Sequence, residues 1–193
     1  MARKKRPLDY DNMDWCNAES SAVSIQYALQ RLELEHLTQN GVILDIGCGD
    51  GKLSAKIAKR YPDAKVCGFD YSVDTAKKNY PRGDFREGDI AHMPFDSSTI
   101  TIATANNIFD YAAESKDLID AHGTLSRVKP VTFKIAELEN EARRVLVLSG
   151  LLILFEENIV NYLSPDEWAL FDQHFESLHP FKTDCLKLYK KLF

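Results

Sequence analysis

The sequence predicts an α/β protein in which a mostly parallel, doubly wound sheet is flanked by helices on both faces. Short apolar runs bounded by glycine or proline alternate along the chain with segments of helical periodicity. The first run, 42–46, is apolar at almost every position, which is typical of a strand buried on both faces of a parallel sheet. The last segment, 175–193, alternates weakly and predicts a C-terminal hairpin.

Each element is predicted from its own local pattern. A leading helix over 20–37 has a loose apolar stripe and ends before Asn40. A β–α–β unit follows, with a strand over 42–46, a helix over 52–60 and a strand over 65–70. The remaining predicted elements are a short helix over 74–80, strands over 84–87 and 99–105, a helix over 133–148, a fifth strand over 151–155, a helix opened by Ser164 and the hairpin.

The composition indicates an ordinary folded protein of one domain. The chain has 193 residues, of which 45% are apolar and 27% are charged, close to the averages for globular proteins. Its formal net charge of -5 opposes general affinity for a phosphate backbone, so DNA is not an expected partner. The basic segment 3–6, RKKR, is the local exception and is typical of a solvated tail.

The cysteines and apolar runs predict a cytoplasmic protein without a metal site or a membrane partner. The four cysteines are Cys16, Cys48, Cys67 and Cys185, and they form neither a C-x-x-C pair nor a metal-ligand spacing. Cys48 and Cys67 fall in apolar strand–turn regions, where a reduced, buried thiol behaves as a small hydrophobe. No signal-peptide core follows the basic tail, and the longest strongly apolar run, 151–155, is too short to span a bilayer.

A glycine-rich turn joins the first predicted strand to the helix that follows it. The segment 45–51 reads DIGCGDG. Glycine permits a tight turn and lets a ligand approach the backbone more closely than a Cβ would allow, while a helix N-terminus offers free amides and a partial positive charge. The turn is therefore a favourable place for the carboxylate or phosphate of a ligand.

Two carboxylates follow at the ends of the next two predicted strands. Asp70 ends the second strand, where a carboxylate can accept hydrogen bonds from the two hydroxyls of a ribose. Asp89 follows the third strand, where it can meet an adenine amino group while Ile90 packs on the ring. Because the carboxyl ends of parallel strands share one edge of a sheet, the turn and both acids predict a single nucleoside site.

A dinucleotide-binding domain is the nearest alternative. It prefers G-x-G-x-x-G, whereas Gly51 falls one position early and the position expected for glycine is Lys52. Asp45 would repel a pyrophosphate at the turn, but it could face the ammonium or sulfonium end of a cationic ligand.

With these motifs the sequence resembles the class I S-adenosylmethionine-dependent methyltransferase family. The resemblance covers roughly 41–157 and rests on segments 42–51, 68–72, 88–95 and 142–153. It implies a Rossmann-like fold with a seven-stranded sheet and S-adenosylmethionine as cofactor. The leading helix, with Ser21 and Gln26, is more weakly similar to the trans-aconitate methyltransferase branch, which implies a small-molecule acceptor.

The resemblance also implies a role for individual residues. The methionine end of the cofactor would be lined by the turn residues Asp45, Gly47, Cys48 and Gly49, and its amino-acid group would be contacted by Asn106. Asp70 would hold the ribose, Tyr71 would pack on the adenine, and Asp89 with Ile90 would complete the adenine site.

One methyltransferase domain is expected, in four parts. These are a basic tail with an N-terminal lid over 1–19, the leading helix over 20–40, the cofactor-binding core over 41–157, and a C-terminal helix and hairpin over 158–193. The chain departs from the family pattern in a long segment at 111–130 and in LSG at 148–150, which replaces the usual proline-glycine-glycine turn.

The acceptor is the open question at the level of sequence. No N-P-P-Y or D-P-P-Y element follows the fourth strand, which argues against amino methylation of DNA or glutamine. By the resemblance, Asp110 and Tyr111 occupy the position that faces the substrate and are the catalytic candidates; the alternative is that Asp110 caps a helix and Tyr111 packs under a loop. His92 is either a base or an exposed or structurally bonded histidine.

Three functions remain open: methylation of a small molecule, methylation of RNA or protein through the basic tail, and cofactor binding without turnover. A pocket closed by Tyr10, Trp15 and the leading helix would favour a small acceptor, and a basic face would favour RNA. Methyl transfer needs alignment of the nucleophile more than a strong base, so the lack of a catalytic triad excludes none of the three.

Overall fold

The computed structural model describes residues 18–108, 118–119, 125–126, 135–155, 173, 175–178 and 186–192. The helices are α1 (Ala18–Arg31), α2 (Lys52–Arg60), α3 (Asp74–Asn79) and α4 (Ile135–Val145), with a 3-10 helix at Glu35–Thr38. The strands are β1 (Val42–Ile46), β2 (Lys65–Asp70), β3 (Asp84–Glu87), β4 (Ile100–Asn106), β5 (Leu118–Ile119), β6 (Leu125–Ser126), β7 (Leu146–Phe155), β8 (Phe175–Leu178) and β9 (Leu186–Lys191).

Seven strands form one mixed sheet in the order β3-β2-β1-β4-β7-β9-β8. The first five of these run parallel to their neighbours, and β9 runs antiparallel to both β7 and β8. The predicted seven-stranded, mostly parallel sheet with a C-terminal hairpin is therefore confirmed. The chain moves outward from β1 to β3 and then returns to β4, so the strand order reverses between β1 and β4. Open α/β sheets bind ligands at the carboxyl ends of the strands at such a reversal.

Helices cover both faces of this sheet, as predicted for a doubly wound fold. On one face, Leu44 and Ile46 of β1 share a buried cluster with Leu138 and Ala142 of α4. On the other face, Ile43 shares a buried cluster with side chains of α1 and α2. Four buried side chains of α1 belong to that second cluster: Ala22, Ile25, Ala28 and Leu29. The leading helix is thus part of the core in this structure.

The leading helix ends earlier than the predicted segment 20–37. Glu33 has a left-handed φ of 57°, and its amide donates to the carbonyl of Gln30. The Leu34 amide donates to the carbonyl of Leu29, so the two bonds close a Schellman motif that ends the helix. Glycine is the usual residue at this position of the motif. Because Glu33 stands there instead, the sequence shows no helix-ending signal before Asn40-Gly41, and the predicted helix was too long.

The fifth parallel strand begins earlier than predicted, and the helix before it is shorter. Leu146 directly follows α4 and already pairs with Ile100 of β4. The next pair joins Ile102 to Leu151, so a bulge separates the two pairs. Ser149 in this bulge has a left-handed φ of 62°, and it lies in the segment 148–150 that replaces the proline-glycine-glycine turn of the family pattern.

The other boundaries lie close to the predicted ones. Strands β1, β2 and β3 and helix α2 have the predicted limits, α3 is one residue shorter, and β4 is displaced by one residue toward the C-terminus. The helix expected to open at Ser164 lies outside the described residues. No helix in the described part of the chain is long and apolar enough to cross a bilayer.

Candidate functional site

The glycine-rich turn lies at the carboxyl end of β1, at the reversal of strand order. Gly47, Gly49 and Gly51 all have left-handed φ angles, of 67°, 52° and 76°. A Cβ on Gly47 would lie 2.9 Å from Ile108 Cγ2, and one on Gly51 would lie 2.9 Å from the Ala76 Cα, so neighbouring protein atoms exclude side chains at both positions. Among the atoms of the described residues, none would lie within 4 Å of a Cβ on Gly49. Gly49 is therefore the glycine of this turn that borders open space.

Asp70 lies beside that open position. The Gly49 amide donates to Asp70 Oδ2 at 2.9 Å, and the Tyr71 amide donates to Oδ1 at 2.7 Å. The Gly88 amide donates to the Asp70 backbone carbonyl at 3.0 Å. These bonds bring the glycine turn, Asp70 and the segment that begins at Gly88 together, as expected from strands that share an edge. The first two bonds orient the half-buried Asp70 carboxylate.

Tyr71 and Asp89 also meet at this edge. Partial burial raises the pKa of the Tyr71 phenol, and the charge of Asp89 and a hydrogen bond with its carboxylate raise that pKa further. The Tyr71 side chain remains 44% exposed. Asp89 Oδ1 accepts a 3.0 Å bond from the Ala91 amide, and the following Ile90 is buried with 8% of its surface exposed. The pair Tyr71 and Asp89 can therefore present an aromatic face and a carboxylate to one ligand group.

Asp45 is buried beneath the turn, with 1% of its surface exposed. Burial raises the pKa of this carboxyl from 3.8 to about 7, although the hydrogen bond from Ser54 opposes the rise. Ser54 Oγ donates to Asp45 Oδ2 at 2.5 Å, and the charges of Asp70 and Asp50 also raise the pKa. Asp45 can therefore exist with or without its proton near neutral pH, and a cation at the turn would favour the charged form.

Asn106 ends β4 on the same edge of the sheet. Its Oδ1 accepts a 3.2 Å hydrogen bond from the buried Ser21 Oγ of α1. That bond fixes the carboxamide orientation and links the leading helix to the site. Ser21 and Ser54 are polar contributors that sequence reasoning did not assign, because a serine inside a helix shows no partner until the helices are docked on the sheet.

The Cys48 side chain lies in the core beneath the turn. It packs in a small cluster with Val73, Ala76 and Phe85, and its amide donates to the carbonyl of Phe69 at 3.0 Å. Cys48 and Cys67 are both buried and neither forms a disulfide, as predicted. The Cys48 side chain therefore packs in the core. This contact was not part of its predicted role, which was to line the cofactor.

Most of the remaining residues singled out in the sequence fall outside the described part of the chain. The His92 side chain is exposed. Asp110 and Tyr111 lie outside the described residues, as do Tyr10, Trp15 and the basic tail. Among the side chains that the structure does describe, no group of histidine, cysteine and carboxylate residues could hold a metal ion.

The residues at this edge fit a positively charged nucleoside. An oriented carboxylate suits the hydroxyls of a ribose, the open backbone at Gly49 admits close contact, and Asp45 is an acid beneath the turn that would oppose a pyrophosphate. S-Adenosylmethionine has a ribose, an adenine, a sulfonium and an α-amino group, and these match the groups that the site offers.

Residues 43–129 match the family model described as a methyltransferase domain. Over 144 residues the chain is 31% identical to malonyl-[acyl-carrier protein] O-methyltransferase of Halalkalibacterium halodurans, covering 65% of this chain and 52% of that protein. Over 75 residues it is 37% identical to trans-aconitate 2-methyltransferase of Afipia carboxidovorans, covering 37% of this chain and 29% of that protein. The chain thus spans about half or less of the length of these relatives.

The fold is shared with solved structures. A TehB-like S-adenosylmethionine-dependent methyltransferase from Corynebacterium glutamicum aligns with a TM-score of 0.61 at 14% identity, covering 91% of this chain and 98% of that chain. The matched segment 43–129 contains the glycine turn, Asp70 and Asp89. Over its central segment the chain is therefore similar to methyltransferases, and its described part has the fold of S-adenosylmethionine-dependent methyltransferases of known structure.

Proposed function

We propose that this protein binds S-adenosylmethionine at the carboxyl edge of β1, β2 and β4 and transfers its methyl group to a small-molecule acceptor. The hydrogen bond between the Gly49 amide and Asp70 carries the proposal. It holds a carboxylate suited to ribose next to the one glycine of the turn that faces open space. In this proposal Tyr71, Asp89 and Ile90 receive the adenine, and Asn106 with the turn residues 45–49 receives the methionine end.

The bound cofactor supplies an electrophilic methyl group on a sulfonium. The residues of this chain then have two tasks, which are to hold that group in line with the acceptor nucleophile and to exclude water. Asp70 and the glycine turn fix one end of the nucleoside, and Ser21 fixes the Asn106 carboxamide for the other. Because the sulfide is a good leaving group, alignment supplies much of the acceleration and a strong base is optional.

Small acceptors are favoured by the net charge of -5 and by the relative named for trans-aconitate. We assign acceptor contact to Asp110 and Tyr111, which follow β4 in the sequence. A cytoplasmic location is proposed with this function, since Cys48 and Cys67 are reduced and buried.

Calorimetry tests the cofactor part of the proposal. Titration with S-adenosylmethionine and with S-adenosylhomocysteine should give micromolar dissociation constants. If neither ligand produces binding heat with protein that circular dichroism shows to be folded, the proposal is wrong. Binding of NAD in their place would indicate a dinucleotide site.

A labelled-methyl assay tests the acceptor part. Incubation with methyl-labelled S-adenosylmethionine and a metabolite extract should place label in a product of low molecular mass, and Asp110→Asn and Tyr111→Phe should slow that transfer while leaving cofactor affinity unchanged. Label in RNA or protein would identify a macromolecular methyltransferase. Tight cofactor binding with no labelled product from any pool would indicate a binding module.

A further inference from the structure

The segment that follows Asp89 and Ile90 is held in place by α4. Glu141 Oε2 accepts a 2.7 Å hydrogen bond from the Met93 amide. Arg144 donates from Nη2 to the Met93 carbonyl at 2.9 Å and from Nη1 to the Phe95 carbonyl at 2.8 Å. Two side chains one turn apart on a single helix therefore bind three backbone groups of this segment.

Glu141 and Arg144 also hold each other. Arg144 donates from Nε to Oε1 and from Nη2 to Oε2 of Glu141, with both distances 2.7 Å. Such two-pronged guanidinium–carboxylate bonds are the stronger and more directional ones in proteins. The hydrogen bond from Arg144 is the main cause that lowers the pKa of Glu141, and the Met93 amide acts in the same direction. We call Glu141 and Arg144 the α4 clamp.

The clamp binds one end of the short loop 88–93, at Met93, and the other end, at Gly88, is held by a separate hydrogen bond. The Gly88 amide bonds to Asp70, and the Met93 side chain is buried in the core beneath α4. Between these points, Asp89 closes a local turn by accepting bonds from the amides of Ala91 and His92. The position of the Asp89 carboxylate thus depends on both anchors.

This second anchor lies outside the segment that matches the methyltransferase domain model, which ends at residue 129. The clamp forms hydrogen bonds only with backbone groups of Met93 and Phe95. These bonds therefore do not depend on which side chains stand at the two positions. The neighbouring Arg143 bonds instead to Asn140 and lies near Glu139 on the same helix. The two adjacent arginines therefore have different tasks.

We propose that Glu141 and Arg144 are positioning residues that hold the Asp89–Ile90 turn in register for the adenine base, so that α4 sets the selectivity of the site for adenine. The proposal rests on the proposed function, since it assumes that the nucleoside binds at Asp70 and Asp89. The clamp itself acts through the backbone of the loop.

The test compares S-adenosylhomocysteine with S-inosylhomocysteine, in which a carbonyl replaces the adenine amino group. The wild-type protein should prefer the adenine compound by about tenfold or more, the scale of one hydrogen bond to a charged acceptor. Glu141→Ala and Arg144→Ala should reduce that preference to less than about threefold. Arg144→Lys and Glu141→Gln, which keep part of the bonding, should give intermediate ratios. Arg143→Ala is the matched control and should keep the wild-type ratio.

A purely structural role for the clamp predicts a different result. Loss of stability alone would weaken both ligands by the same factor, and the ratio of their dissociation constants would not change. An unchanged ratio in folded clamp variants would therefore overturn the inference while leaving the proposed function intact. A wild-type protein that binds neither compound would overturn both.

Hydrogen exchange supplies a readout on protein without cofactor. The Met93 amide should exchange faster in Glu141→Ala and Arg144→Ala than in the wild type or Arg143→Ala, because it loses its acceptor or the group that orients that acceptor. Unchanged exchange at Met93 would show that α4 does not hold the loop, and the inference would fail even if cofactor binding were intact.

Discussion

At the scale of single residues, Asp70 is the side chain on which the proposed cofactor site depends most. Replacing Asp70 by Ala should weaken binding of S-adenosylhomocysteine by about 1 to 3 kcal/mol, because the ribose hydroxyls lose a charged acceptor. The Gly49 and Tyr71 amides lose the same partner, so the turn should also become less ordered. Calorimetry measures the affinity change.

Asp63→Ala serves as the control for this variant, because Asp63 is an exposed carboxylate in the turn before β2. It should bind as the wild type does. An Asp70→Ala protein with wild-type affinity would show that this carboxylate only orders the turn.

The buried carboxyl of Asp45 makes stability depend on pH. Its pKa is about 7 in the folded protein against 3.8 for an ordinary aspartate, so folding retains a proton that the unfolded chain releases between these values. Stability contributed by the protonated form is present below pH 4 and is lost as the pH rises to 7. Asp45→Asn should therefore be the more stable protein at pH 8, by at most about 4 kcal/mol, and equal to the wild type at pH 4.

Urea unfolding of the cofactor-free protein at pH 4 and pH 8 measures this difference. Ser54→Ala removes the hydrogen bond that favours the charged carboxylate and should steepen the loss of stability between the two pH values. Parallel pH profiles for the wild type and Asp45→Asn would contradict the prediction.

At the scale of elements, the end of α1 contains a residue in an unfavourable backbone conformation. Glu33 occupies the left-handed position of the Schellman motif, where glycine has no steric cost. We expect Glu33→Gly to raise the free energy of unfolding by about 1 kcal/mol, measured by chemical denaturation. The matched control is Glu35→Gly in the following 3-10 helix, which should give no gain. Equal or lower stability for Glu33→Gly would contradict this account.

The same elements show which structural features a sequence pattern can predict. Strand β1 and helix α2 were predicted with their observed limits, because a continuous apolar run and a 3.6-residue period are local properties. The end of α1 and the start of β7 were not, since Glu33 and Ser149 adopt left-handed conformations without the usual glycine. Tertiary packing of Leu34 and pairing of Leu146 with Ile100 determine these boundaries.

At the scale of the whole molecule, the basic tail is expected to be dispensable. Deleting residues 1–6 removes four positive charges, which changes the net charge from -5 to -9 by subtraction of 4. Turnover on a small acceptor, cofactor affinity and melting temperature should all stay at wild-type values, because a terminal segment dominated by four consecutive charges is typical of a solvated tail. Kinetics, calorimetry and thermal unfolding measure the three quantities.

The control for the tail is Ile25→Ala in α1, which truncates a side chain that is 2% exposed in the core. It should lower the free energy of unfolding by about 2 to 5 kcal/mol. Loss of activity on deletion of the tail alone, with activity toward RNA that falls steeply with salt, would favour the macromolecular hypothesis.

The sequence by itself determined the alternation of strands and helices, the glycine turn and the acids at the ends of β2 and β3. These features depend on neighbours within a few residues, and the parallel sheet then brings strand ends together at one edge. Only the tertiary structure showed that Ser54 bonds Asp45, that Ser21 orients Asn106 and that Glu141 and Arg144 hold the loop after Asp89. Such partners lie on different elements, and local sequence does not encode their separation once the helices have packed on the sheet.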